Sequence, residues 1–240
     1  MGEVKGSLPL RSKHRRKGRG RLLKYLAIVA GLLVLVLFSY LYFQSPKPKS
    51  VILYVDQGNG AVGETNFGQM TSFASAHGFN TIFFQVYRQG ALLFTKNDLG
   101  SFVNQAHTQG LEIFFALYFT NSTQAMPISI MGLGEDGVSL DMSTLSTATQ
   151  ESLLATLTTS CGCKTAVTTT DMTSPLKPNL LILETYGPPD QQYIRFGTIG
   201  SVGVFATSSQ EDYQSQFQYA LNNSDGVMVF DYAGLLKSGY

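Results

Sequence analysis

The sequence predicts an α/β fold, a compact (β/α)8 barrel of the TIM type with some helices missing, preceded by one N-terminal transmembrane helix. Three observations carry this. From residue 51 onward, eight short apolar runs rich in β-branched and aromatic residues alternate with amphipathic stretches, the pattern of buried parallel strands joined by crossover helices. The C-terminal ends of those runs collect carboxylates and aromatic rings. Residues 25–43, YLAIVAGLLVLVLFSYLYF, are nineteen residues without a charge, against the ~20 that a spanning helix needs.

Taken in order, residues 1–24 carry nine Lys or Arg against the single acid Glu3. This basic tail flanks the apolar run on its N-terminal side only, so the positive-inside rule keeps the N-terminus cytoplasmic. Tyr25, Tyr40, Tyr42 and Phe43 sit near the ends of the run, where an aromatic belt places them. No A-x-A-like cleavage site follows, so the run reads as an uncleaved signal anchor. The expected location is the cell membrane, crossed once, with the membrane as a partner through residues 25–43. The basic tail serves topology and attraction to anionic lipid, and nucleic acid is not an expected partner. QSPKPKS (44–50) is a short extended linker. Residues 51–240 then hold six basic and fifteen acidic residues, a net charge of −9, in a domain expected outside the cytoplasm.

The predicted strands are 51–56, 80–87, 111–119, 137–142, 164–171, 179–186, 201–207 and 226–232. Helices are predicted over 66–77, 98–109, 144–158 and 211–222. NFGQMTSFASAHG ends on a C-terminal glycine, and DLGSFVNQAHTQG repeats the pattern with Asp98 as its expected N-cap. MTSPLKP (172–178) is too short for a helix, and 187–200 looks irregular. No G-x-G-x-x-G follows the first run, since DQGNGAVGE lacks that spacing, which argues against a doubly wound dinucleotide-binding sheet.

The strand ends carry the chemistry. The first ends on Asp56, the fourth on Asp141, the fifth on Asp171, the sixth on Glu184 and the eighth on Asp231. The second ends on Gln85, Tyr87 and Arg88, and the third on Tyr118. In a barrel all these ends face one mouth. Glycosidic hydrolysis needs one carboxyl to protonate the leaving oxygen and a second to attack or to activate water. Asp141 and Glu184 are the candidate catalytic pair, two strands apart. Glu184, beside Tyr186 and with no helix to cap, is the expected proton donor, and Asp141, before a polar MSTLST segment, the expected ionised partner. Asp56, Gln85, Tyr87, Arg88, Tyr118, Asp171, Tyr186, Asp231 and Tyr232 are the candidate binding groups. Each of Asp56, Asp141 and Asp171 has the alternative role of capping a following helix.

No cofactor and no metal site are expected. His77 and His107 precede glycines at helix ends and read as surface cations, and His14 lies in the basic tail, so neither a Ser-His-Asp triad nor a histidine-rich metal site is available. Cys161 and Cys163 form a CGC triplet, which reads as free or weakly paired loop cysteines. NST (121–123) and NNS (222–224) match glycosylation acceptors.

NTIFFQVYRQGALLF (80–94) resembles the second strand of glycoside-hydrolase-like barrels related to the family 10-like bacterial lipoproteins. FVNQAHTQGLEIFFALYFTN (102–121) is similar to their second helix and third strand, and DGVMVFDYAGL (225–235) to the last strand of glycosidase-type barrels. The resemblance implies an eight-stranded barrel with a carbohydrate-related site at its C-terminal mouth. Ala91 stands where that pattern has an acid, Tyr87 and Arg88 replace Arg-Pro, and the chain has no Trp. Two functions are therefore expected as alternatives: a membrane-anchored glycoside hydrolase acting on polysaccharide, or a non-catalytic barrel binding glycan or protein in the envelope.

Overall fold

The computed structural model describes residues 25, 28–36, 49–57, 66–171, 173–184, 197–203, 210–230 and 232–237. The chain divides into two units, Met1–Pro48 and Lys49–Tyr240. In the first, residues 28–36 are helical, and the side chains of Ile28, Val29 and Leu32 through Val36 are more than half exposed. Among the described residues no helix is long and apolar enough to cross a membrane. The remainder of the 25–43 run, the basic tail and residues 44–48 lie outside the described residues.

The second unit contains β1 (Ser50–Val55), β2 (Thr81–Arg88), β3 (Ala91–Leu92), β4 (Glu112–Tyr118), β5 (Gly137–Asp141), β6 (Lys164–Thr169), β7 (Leu180–Glu184), β8 (Ile199–Gly203) and β9 (Gly226–Phe230). Its helices are α1 (Phe67–Ala76), α2 (Lys96–Thr108), α3 (Thr147–Cys161), α4 (Gln210–Asn223) and α5 (Tyr232–Lys237). Eight strands run parallel in the order β1-β2-β4-β5-β6-β7-β8-β9, and β1 pairs with both β2 and β9, so the sheet closes. The two-residue β3 adds antiparallel to β2. Each of the eight predicted runs overlaps a barrel strand. Their near-continuous hydrophobicity follows from burial on both faces. One set (Ile52, Tyr54, Phe83, Phe114, Ala116, Ala166, Ile182, Ile199, Met228) fills the barrel. The alternate set, including Leu53, Phe84, Phe115, Leu140 and Val229, packs with Phe67, Met70, Leu99 and Phe102 of α1 and α2.

The predicted helices are all present, and the barrel is short of helices as expected. Between β4 and β5 there is only a 3-10 turn, Ile128–Ile130, and the described residues between β6 and β7 form no helix. The N-cap expected at Asp98 is corrected. Helix α2 starts at Lys96, Thr95 is its N-cap, and Asp98 completes a reciprocal capping box from the third helical position. The side chain of Asp98 reaches back to the Thr95 amide (3.0 Å), which ties down a donor that the helix leaves unpaired. Gly78 and Gly110 follow the first two helices with φ of +77° and +73°, the left-handed turn that glycine adopts without a Cβ clash. The cysteine reading is also corrected. Cys161 closes α3, Gly162 is its left-handed cap, and Cys161 and Cys163 are disulfide-bonded.

The closing seam leaves no room for a side chain at Gly226. A Cβ there would collide with the Ser50 carbonyl on β1, its register partner. Gly226→Ala is therefore expected to cost about 1–3 kcal/mol, as overpacking does, read as a lowered urea midpoint. Gly100 lies inside α2, and a methyl group added there would meet nothing within 4 Å. It gives the contrast: Gly100→Ala should be neutral or stabilise by about 0.5–1 kcal/mol.

Candidate active site at the barrel mouth

The mouth is assembled from the C-terminal ends of the strands. Asp56 directly follows β1, and Arg88 ends β2. Arg88 Nη1 donates to Asp56 Oδ1 at 3.3 Å, and the guanidinium carbon lies 5.6 Å from the centre of the Tyr118 ring at the end of β4. Gln85, buried on β2, accepts from the Gln57 amide at 3.1 Å and so fixes the chain just beyond Asp56. Asp141 ends β5, in register with Tyr118 on one side and Thr168 of β6 on the other. Glu184 ends β7 in register with Ser201 of β8. Phe230 closes the ring from β9, its side chain 5.0 Å from Tyr54.

Arg88 reaches this mouth because β2 carries a bulge. Gln85 pairs with Ala116, but Tyr87, not Val86, pairs with the next residue, Leu117. Strict alternation from Gln85 would turn Tyr87 inward and Arg88 outward. The extra residue reverses that parity, which is the re-aiming that bulges produce beside functional sites. Tyr87 accordingly does not enter the mouth. It packs outside the barrel, 5.2 Å from Phe119, and its hydroxyl donates to the Ala125 carbonyl (2.9 Å).

Of two other candidates, Tyr232 is placed away from the mouth, and Asp171, two residues past the end of β6, is bonded locally. Tyr232 opens α5, buried edge-on against Phe73 at 5.2 Å in the helix layer. Asp171 is exposed and accepts from the amide and hydroxyl of Thr173, both at 2.8 Å, bonds that lower its pKa. It serves a local turn. Tyr186 and Asp231 lie outside the described residues. The structure thus brings Asp56, Gln85, Arg88, Tyr118, Asp141 and Glu184 to one end of the barrel.

The electrostatics correct the expectation that Asp141 is the ionised partner. Burial pushes the Asp141 carboxyl up to about 7, and the charges of Glu184 and Asp56 push in the same direction. The Ser143 amide and Arg88 oppose them but do not outweigh them. The polar segment after Asp141 does supply an N–H, as its sequence led one to expect, yet desolvation dominates. Asp141 is the group poised to hold a proton near neutrality.

Sequence reading missed the floor of the site. Ser139, one inward step below Asp141, and Thr168, level with it, point into the barrel, and their buried hydroxyls have no hydrogen-bond partner among the described residues. Their signal was present: Ser139 lies two residues before Asp141 on the same face of the strand. Asp56, Asp141 and Glu184 do not form a set whose ligating oxygens all lie within 4.8 Å of one another. Among the described residues the one set of three ligating groups within 4.8 Å is Glu135 with Cys161 and Cys163. Those sulfurs are bonded to each other, and Glu135 already accepts from the Gly132 and Leu133 amides.

The chain has the (β/α)8 barrel fold, which it shares with solved structures of different function. It is similar to the GH113 β-mannanase AaManA from Alicyclobacillus acidocaldarius, with 10% identity, 79% of this chain and 88% of that chain covered, and a TM-score of 0.55. It is likewise similar to a xylanase and α-amylase inhibitor protein from Scadoxus multiflorus, with 7% identity, 80% and 96% coverage, and a TM-score of 0.51. No family model matches the chain, and no curated protein matches its sequence.

The raised Asp141 makes a signed prediction. Its carboxyl holds a proton in the fold up to about pH 7 and in the unfolded chain only to about 3.9. The native state therefore binds more protons between these values, and stability from this group is lost as pH rises through that window. Asp141→Asn removes the dependence. The variant should gain about 2–3 kcal/mol relative to the parent between pH 5 and pH 8, measured by urea denaturation at both values.

Proposed function

We propose that this is a membrane-anchored, extracytoplasmic carbohydrate-active barrel that cleaves glycosidic bonds at its mouth. One observation carries the reading: a half-buried carboxyl, Asp141, raised to about 7 beside the Glu184 and Asp56 carboxylates at the C-terminal ends of barrel strands. Hydrolysis requires this combination of a protonated acid and an ionised neighbour. Asp141 takes the role of general acid and Glu184 that of nucleophile or base. Gln85 and Arg88 hold Asp56 and the rim, and Tyr118 and Phe230 offer apolar faces to a sugar ring. The segment at 80–94 supports a relation to the family 10-like barrels.

The anchor is supported by the helical run at 28–36, whose apolar side chains are exposed, because a helix apolar all round belongs in a core or a bilayer. The alternative is a non-catalytic glycan- or protein-binding module. Its supporting observation is the inhibitor protein that shares the fold.

On any polysaccharide that the full chain cleaves, Asp141→Asn and Glu184→Gln should each lower kcat by at least 100-fold, and the alkaline limb of the pH profile should fall near pH 7 and vanish in the Asp141 variant. Losses under tenfold in both, or no cleavage in a broad glycan screen, favour the binding module. For topology, protease added to intact cells should remove residues 51–240 and spare the tail; full protection of that domain overturns the anchor.

A further inference from the structure

We infer that the Cys161–Cys163 disulfide and the Glu135 carboxylate form a second reactive centre, one that exchanges disulfides with the thiols of a dithiol partner. It does not rest on the carbohydrate reading of the mouth. Cys163 directly precedes β6, and Glu135 lies two residues before β5. The three groups therefore sit where the parallel strands begin, at the opposite end of the barrel from Asp141.

A structural role explains this disulfide poorly. It joins residues two apart, and a crosslink that closes so short a loop constrains the unfolded chain least. Other bonds already hold the segment. The Lys164 amide donates to the Asp136 carbonyl at 3.2 Å, β6 pairs with β5 from Lys164 onward, and Gly162 ends α3 in the left-handed conformation. The disulfide can also be reached from solvent. Both cysteines are half-buried, and Gly162 between them is exposed, with nothing within 4 Å of the place a Cβ would take.

The surroundings supply what exchange requires. A thiolate is both the nucleophile and the leaving group, so the site needs a proton carrier and a donor to the negative sulfur. Glu135 is buried, and its carboxylate is fixed by the amides of Gly132 (2.6 Å) and Leu133 (2.8 Å). A carboxylate oxygen and the two sulfurs all lie within 4.8 Å of one another, a reach that a proton covers directly or through one water. The Cys163 amide donates to Cys161 Sγ at 3.2 Å, a bond that strengthens when that sulfur carries charge.

These contacts set the order of events. A partner thiolate attacks Cys163 Sγ, the S–S bond breaks, and its electron pair goes to Cys161 Sγ beneath the Cys163 amide. The partner's second thiol, deprotonated, attacks the sulfur of its own first thiol in the mixed disulfide, and the electron pair of that bond returns to Cys163. The partner leaves oxidised to its disulfide, and its two protons end on Cys161 and Cys163, with Glu135 as their carrier. A disulfide such as oxidised glutathione reverses the sequence and restores the Cys161–Cys163 bond.

The test uses the full chain in detergent micelles, equilibrated without denaturant against glutathione buffers of graded redox ratio, with free thiols counted by alkylation and mass. The expected result is that oxidised and reduced chains coexist across the series, with melting midpoints within about 4 °C of each other. Substoichiometric chain should also speed disulfide formation in a two-cysteine peptide at least about tenfold over the Cys161→Ala, Cys163→Ala double variant. Glu135→Gln should slow that turnover at least about tenfold while leaving the equilibrium fraction oxidised in place, a split that loss of loop structure would not give. Turnover of the peptide assigns peptide thiols as partners, and exchange with glutathione alone assigns small thiols; either sustains the centre. A disulfide that stays closed across the series until the chain is unfolded overturns it, as does exchange of glutathione and peptide no faster than with the double variant.

Discussion

Closure of the sheet is the constraint on which the rest depends. β1 pairs in parallel with β9 on one side and β2 on the other, so no strand edge is left and every barrel strand points the same way. Parallel direction is what turns scattered residues into a site. Asp56, Arg88, Tyr118, Asp141 and Glu184 span 129 positions of sequence, yet each is the last residue of its strand or the next one along. Backbone hydrogen bonds set the direction, and the mouth follows from it. The seam requires Gly226, where the Ser50 backbone comes too close for any side chain.

Within that frame, an apolar interior makes the mouth reactive. The side chains of Phe83, Phe114, Ile182 and Met228 below it are fully buried and packed together. A carboxyl at the upper edge of such a layer loses hydration on one side, and charged neighbours add to the cost of ionising it. The same packing that stabilises the barrel therefore raises the proton affinity of Asp141. The fold accepts this local cost because the apolar burial beneath greatly exceeds it.

Arg88 shows how a local irregularity can matter more than composition. Its position at the end of β2 does not determine where it points. One extra residue at Val86 reverses the alternation, bringing the guanidinium to Asp56 and sending Tyr87 to the outer layer. The counter-charge of the mouth depends on this bulge.

Most of the barrel was legible in the sequence. Strands buried on both faces need unbroken apolar runs, and helices on the outside need apolar residues at helical spacing, so eight strands and four helices could be read from pattern alone. The collection of carboxylates at strand ends was legible for the same reason, because strand boundaries are local. Contacts across the chain were not. Thr95 took the cap expected of Asp98, since capping depends on backbone angles at the helix start. Tyr87 and Tyr232 left the expected site, because bulges and helix starts redirect side chains without changing the residue pattern around them. Above all, the sequence by itself determined which residues stand at the strand ends, through short-range hydrophobic periodicity. Only the tertiary structure decided that Asp141 keeps its proton, since desolvation and charge repulsion are sums over neighbours brought together from distant strands.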